Sequence, residues 1–134
     1  MLHIAICDDE IHMLGKLKKM VHDFFKVHKI DITVAAFTCG EKLLEYGKKI
    51  DILFLDIQMK NMDGIETAKI LRKSGFSGFL IFVTILKETV FQAFEVQAFD
   101  YLIKPVEDYH FNKIMQRLLE HIENAKEKNL LIRI

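Results

Sequence analysis

The residues with chemistry to offer are Asp8, Asp9, Asp56, Thr84 and Lys104, and each stands where a short apolar run stops. The clearest case lies in residues 51–64, where Ile52, Leu53, Phe54 and Leu55 lead straight into Asp56 and a turn closed by Gly64. Four apolar residues without alternation describe a strand covered on both faces, as in a parallel sheet flanked by helices. Ligands bind at the carboxyl edge of such sheets, so an aspartate there is a candidate nucleophile or metal ligand. Residues 3–7 repeat the pattern and end on Asp8, Asp9 and Glu10; residues 79–83 end on Thr84; residues 100–103 end on Lys104 and Pro105, the only proline.

Each residue alone has a plainer explanation. An aspartate at a strand end caps the next helix, a threonine makes a turn, and a lysine is a solvated charge. Their joint occurrence in this order along one sheet favours a shared site. Three carboxylates within about 5 Å repel by roughly 3 kcal/mol per pair at an effective dielectric near 20. One lysine cannot neutralise them, whereas a hard divalent cation can, and oxygen ligands in a solvent-facing pocket favour Mg²⁺. A carboxylate nucleophile, a cation, a hydroxyl and an ammonium are together the parts that phosphoryl transfer to an aspartate requires.

The segments between the strand ends have helical periodicity. Leu14, Leu17, Val21, Phe24 and Phe25 recur at helical spacing, with Lys16, Lys18, Lys19 and Asp23 between them, which predicts an amphipathic helix over 11–28. A strand follows over 30–37 and a short helix over 40–46. Asp63-Gly64-Ile65-Glu66 resembles a capping box and opens a helix to about residue 73, broken by Gly75 and Gly78. The helix over 87–97 is expected to bury Val90, Phe91 and Phe94, and the last helix carries Phe111, Ile114, Met115, Leu118, Leu119 and Ile122 on one face. Five strands alternating with five helices imply an α/β fold, a parallel sheet with right-handed crossovers and helices on both faces. Residues 123–129 are charged and polar. Residues 130–134 look like a strand, the beginning of a further domain, or else a docked or frayed terminus.

The 134 residues, 51% hydrophobic and 28% charged, suffice for one domain with a full core. A formal net charge of zero argues against this segment itself gripping a nucleic-acid backbone or an anionic membrane. Cys7 and Cys39 sit in apolar surroundings without metal-ligand spacing and read as buried hydrophobes of a reducing compartment, and the six histidines form no ligand pattern. The first strand begins at residue 2 without a basic leader, and no apolar run is long enough to span a bilayer, so a cytoplasmic protein is expected.

Over about residues 2–122 the chain resembles the receiver domain of bacterial two-component response regulators. The likeness rests on Asp8-Asp9-Glu10, on Asp56-Ile57-Gln58-Met59 with Gly64 after it, on Thr84, and on Tyr101-Leu102-Ile103-Lys104-Pro105. It implies a flavodoxin-like five-stranded sheet in the order 2-1-3-4-5, with a receiver domain over 1–122 and a linker or the start of an output domain over 123–134. It also implies that Asp56 accepts a phosphoryl group from a sensor histidine kinase, with Mg²⁺ held by Asp8, Asp9, Asp56 and the backbone carbonyl of Gln58. Thr84 and Lys104 would bind the phosphoryl oxygens, Tyr101 would change rotamer on activation, and the Lys104–Pro105 bond would be cis.

Residues 93–105 are similar to receivers attached to LytTR-type DNA-binding domains, which implies a transcriptional output, with DNA bound only through a domain outside this chain. The face of helix four, strand five and helix five, with Lys87, Gln92, Glu95 and Gln97, is the expected surface for a homodimer. Two departures stand out: Lys60 replaces the family's usual proline, which is expected to loosen a loop, and Ile85 follows Thr84 in place of a small residue. By the same likeness Gln58 and Leu86 flank the path of a hydrolytic water, with Leu86 and Ile85 expected to form an apolar lid. Other readings use the same residues. A stand-alone receiver would act on partner proteins. An aspartyl-phosphate phosphohydrolase needs a second aspartate two residues after the first, where Glu10 and Gln58 stand instead. A flavin carrier would find its phosphate repelled by Asp8-Asp9-Glu10.

Overall fold

The computed structural model describes residues 1–85 and 90–133, excepting the side chains of residues 90, 91 and 126–133. The chain runs β1 (Leu2–Cys7), α1 (Ile11–Val27), β2 (Ile32–Phe37), α2 (Gly40–Glu45), β3 (Ile52–Asp56), α3 (Gly64–Lys73), β4 (Phe79–Thr84), α4 (Val90–Glu95), β5 (Asp100–Ile103) and α5 (Asp108–Arg133). The five strands form one sheet in the order β2-β1-β3-β4-β5, every neighbouring pair parallel, which is the expected flavodoxin-like topology.

Side chains alternate across each strand, so the continuous apolar runs feed two cores. Ile6, Phe54 and Val83 face α1 and α5, where they meet Leu17, Phe25, Phe111 and Met115. Cys7, Leu55 and Phe82 face the other layer and meet Leu43 of α2, Ile65 and Leu71 of α3 and Ala93 of α4. All five residues of β3 are buried, as its lack of alternation requires, while the edge strands β2 and β5 are partly exposed.

Three local expectations change. Strand β2 begins at Ile32 rather than residue 30, because the Ile30 N–H is spent closing α1 on the Phe25 carbonyl (3.0 Å) while Lys29, at φ 55°, bonds Lys26. This is a Schellman ending with lysine in the left-handed position that glycine usually fills. Phe94 is 78% exposed. Ala93 of α4 and Val96 just beyond it are buried instead, while residues 90 and 91 fall where side chains are not described. Residues 130–133, expected as a strand, continue helix α5 to Arg133. Extending an existing helix adds a hydrogen bond per residue with no new nucleus, and Glu123, Ala125, Lys126, Glu127 and Lys128 are strong helix formers. Leu86 and Lys87, proposed for the lid and the partner surface, lie outside the described residues.

One side chain ties three segments together. The Arg72 guanidinium donates to the Val96 carbonyl (2.8 Å) and the Gln97 carbonyl (3.0 Å) at the end of α4, and to Gly78 (2.9 Å) and Phe76 (3.2 Å) in the α3–β4 turn. It also lies 4.6 Å from the centre of the Phe76 ring. A planar fork reaches four carbonyls at once, and an ammonium does not. Arg72→Lys is therefore expected to destabilise the fold by about 1.5–3 kcal/mol, the value of a charge-assisted bond left unmade. Equilibrium urea unfolding of the two proteins measures this.

Candidate functional site

The parallel sheet brings the carboxyl ends of β1, β3, β4 and β5 to one edge, and with them all five residues singled out from the sequence. Asp8 follows β1 and is fully buried; Asp56 closes β3 at 3% exposure; Thr84 closes β4 and is buried. One carboxylate oxygen from each of Asp8, Asp9 and Asp56 lies within 4.8 Å of the others. Lys104 reaches in from the end of β5, 2.9 Å from Asp8 Oδ2 and 3.5 Å from Asp56 Oδ2, with Glu10 further out at 3.9 Å. Its own N–H donates to the Thr84 carbonyl (2.9 Å), and the following Lys104–Pro105 peptide is cis, as the resemblance implies.

Backbone groups set the carboxylate orientations. Asp8 Oδ1 accepts from the Glu10 N–H (2.9 Å) and Asp56 Oδ1 from the Gln58 N–H (3.3 Å). The loop after Asp56 folds back so that Gly64 N–H meets the Ile57 carbonyl (2.8 Å), and Asp63 caps α3 by accepting from the Glu66 N–H (2.8 Å). Gly64 is required by space. A Cβ there would strike the Asp56 carbonyl and lie 2.8 Å from the Ile57 Cα.

Burial first, then the neighbouring Asp8 charge, pushes the Asp56 carboxyl up to about 6, with Lys104 opposing them. For Lys104, burial pulls its ionisation down but the paired Asp8 and Asp56 more than reverse it, so the ammonium is held above its ordinary range. Cys7 beneath the site behaves as the hydrophobe it was expected to be. Its thiol, 3.8 Å from the Met59 sulfur, is pushed up to about 12, mainly by burial. The donor set fits a hard cation: three carboxylates converge around a single paired ammonium, and burial together with the Asp8 charge holds the Asp56 proton.

The Lys60 N–H donates to Asp9 Oδ2 (3.2 Å), a contact that a proline at this position would lack. A backbone N–H that meets a side chain 51 positions away leaves no pattern in the residue types, and sequence reasoning could not find it. Tyr101 is 37% exposed on β5, and Ile85 is 58% exposed beside the site.

The Asp56 proton has a consequence for stability. Unfolded, the carboxyl ionises at its ordinary 3.8; folded, it ionises at about 6. The folded state binds more protons between those values, so stability is full below about pH 4 and falls as pH rises to about 6. At 1.36 kcal/mol per decade the loss is at most about 3 kcal/mol. In chelator, Asp56→Asn is expected to be about 1–3 kcal/mol more stable than the parent at pH 7 and equal to it at pH 4. Urea unfolding at the two pH values checks this.

Comparison with known proteins agrees with this architecture. The response regulator receiver domain model matches residues 4–119. Sensory transduction protein LytT of Bacillus anthracis is 33% identical over 123 residues, covering 90% of this chain and 47% of LytT. Transcriptional regulatory protein YpdB of Escherichia coli is 29% identical over 119 residues, covering 87% of this chain and 47% of YpdB. The chain thus spans about half the length of these relatives. Among solved structures, the response regulatory domain of protein MrkE from Klebsiella pneumoniae superposes with a TM-score of 0.81 at 26% identity, covering 92% of this chain and 99% of that one. With the family model covering most of its length and the acidic edge built as described, this chain belongs to the response regulator receiver domain family.

Proposed function

We propose that this chain is a phosphoacceptor regulatory domain in which Asp56 takes a phosphoryl group from a sensor histidine kinase. The observation that carries the proposal is the convergence of Asp8, Asp9, Asp56, Thr84 and Lys104 at one sheet edge, with three carboxylates inside 4.8 Å and Lys104 touching two of them. With its ionisation near 6, Asp56 is mostly an anion at pH 7 and able to attack phosphorus. The phosphorus–nitrogen bond to the donor histidine breaks as the bond to an Asp56 oxygen forms. Lys104 then turns from the carboxylate to a phosphoryl oxygen, and the Thr84 hydroxyl donates to another, both charge-assisted hydrogen bonds. Asp8, Asp9, Asp56 and the Gln58 carbonyl would hold Mg²⁺, which supplies positive charge to the transferring oxygens. The chain's own part is that of a regulated substrate rather than of an enzyme acting on other molecules.

On this reading residues 1–122 are the receiver and 123–134 lead to a LytTR-type DNA-binding output that controls transcription; the names of the relatives support a transcriptional role. Among the described residues no helix is long and apolar enough to cross a membrane, which accords with a cytoplasmic site of action. The partner surface is the face of α4, β5 and α5, used by a second copy of the chain, with Tyr101 as the switch residue. Phe94 and Tyr101 are exposed there, as are Gln92 and Gln97, while Glu95 is engaged with Lys69 of α3 at 3.3 Å.

Acetyl phosphate with Mg²⁺ is expected to label the wild type with one hydroxylamine-labile phosphate and to leave Asp56→Asn unlabelled, read by intact mass. Equal labelling of the two would overturn the assignment. Dimerisation with beryllofluoride and Mg²⁺ is expected to weaken about tenfold or more in Phe94→Glu, since a buried unpaired charge replaces an apolar contact; sedimentation velocity measures it.

A further inference from the structure

We propose that the recess at the amino edge of β4 and β5, flanked by α5, binds a small phosphate monoester. It lies at the opposite edge of the sheet from the acidic site and is independent of the function proposed for that site.

The recess measures about 490 Å³, within the usual range of small-molecule sites, and none of the residues lining it is acidic. Arg72 stands at its wall without a counter-charge. Four of its five N–H donors go to carbonyls, and no ion pair forms with it among the described residues. The fifth donor is on Nη2, whose bond to the Gln97 carbonyl is the exposed one of the four. Burial pulls the ionisation of this guanidinium down, and no neighbouring acid restores it.

Arg117 of α5 is the second cation of the recess, and it too is held in place. Its Nη2 donates to Asp100 Oδ2 (2.8 Å), and its guanidinium lies 4.7 Å from the centre of the Phe99 ring. Asp100 has little left to offer, since its Oδ1 accepts from the Tyr101 N–H (2.7 Å). One carboxylate thus stands against two guanidiniums, and His121 lines the same recess. Donors fixed in advance bind an anion at low entropic cost. A carboxylate ligand brings two acceptor oxygens and one charge, whereas a phosphate monoester brings three oxygens and nearly two charges. The larger set matches donors arriving from α3, from α5 and from the Ser77 hydroxyl. Phe79 and Ala98 line the remainder and suit an organic substituent on the phosphate.

The test titrates the chain with phenyl phosphate in chelator, so that no cation at the acidic edge recruits the probe, and reads NMR shifts of the Gln97, Ala98 and Phe99 amides. Inorganic phosphate and phenol are the comparison arms. Phenyl phosphate is expected to bind at least about threefold more tightly than inorganic phosphate, through the apolar lining, and phenol to leave these amides unmoved. Arg117→Gln is expected to weaken phenyl phosphate about fivefold or more. Asp100→Asn keeps the guanidinium and removes its competing carboxylate, so it is expected to tighten binding about threefold. Disturbed packing would instead weaken binding in both variants. Shifts confined to other parts of the chain, or weaker binding in both variants, would overturn the proposal. Equal affinity for the two phosphates would overturn the monoester and assign the recess to the free anion. Should Arg117→Gln fail to fold, the direction of change in Asp100→Asn decides.

Discussion

The contact between Lys104 and the two buried carboxylates Asp8 and Asp56 governs the site. Burying one acid costs several kcal/mol unless it is paired, and here two acids share one ammonium while a third stands beside them. Two carboxylates at 4.8 Å repel by roughly 3.5 kcal/mol at an effective dielectric near 20. The site is therefore electrostatically unfinished, with Asp56 retaining its proton to about pH 6. A pocket in that condition gains from any added positive charge.

The remainder of the fold makes that arrangement affordable. Strand β3 is buried on both faces, so Asp56 projects from a rigid element whose position is fixed by two packed layers. Its neighbours in the sheet, β1 and β4, deliver Asp8 and Thr84 in fixed register, since a parallel ladder lets every strand end at the same edge. Gly64 lets the loop fold back onto the Asp56 carbonyl, where no side chain fits.

Among the described side chains at helix α4, Ala93 is buried together with Val96 just beyond the helix, and Arg72 fastens the carbonyls of Val96 and Gln97 that follow it. Phe94 on its outer surface is then available to a partner instead of to the core.

The sequence by itself determined the five-strand, five-helix alternation, the burial of 52–55, the long apolar face of α5 from Phe111 to Ile122, and the five residues that meet at one edge of the sheet. Those features arise from local periodicity and from chemistry set at strand ends, and both are written in consecutive residues. Only the tertiary structure decided that Phe94 faces outward, that β2 waits for Ile32, that residues 130–133 join α5, and that Arg72 and the Lys60 N–H act as ties. Each of these depends on competition between alternatives of similar local merit: two possible inner faces of one short helix, a backbone donor shared between cap and strand, a helix extended or a strand begun. Their outcome is settled by which neighbour lies within hydrogen-bond or packing distance, and that neighbour is remote in sequence, 51 residues away for Asp9 and Lys60.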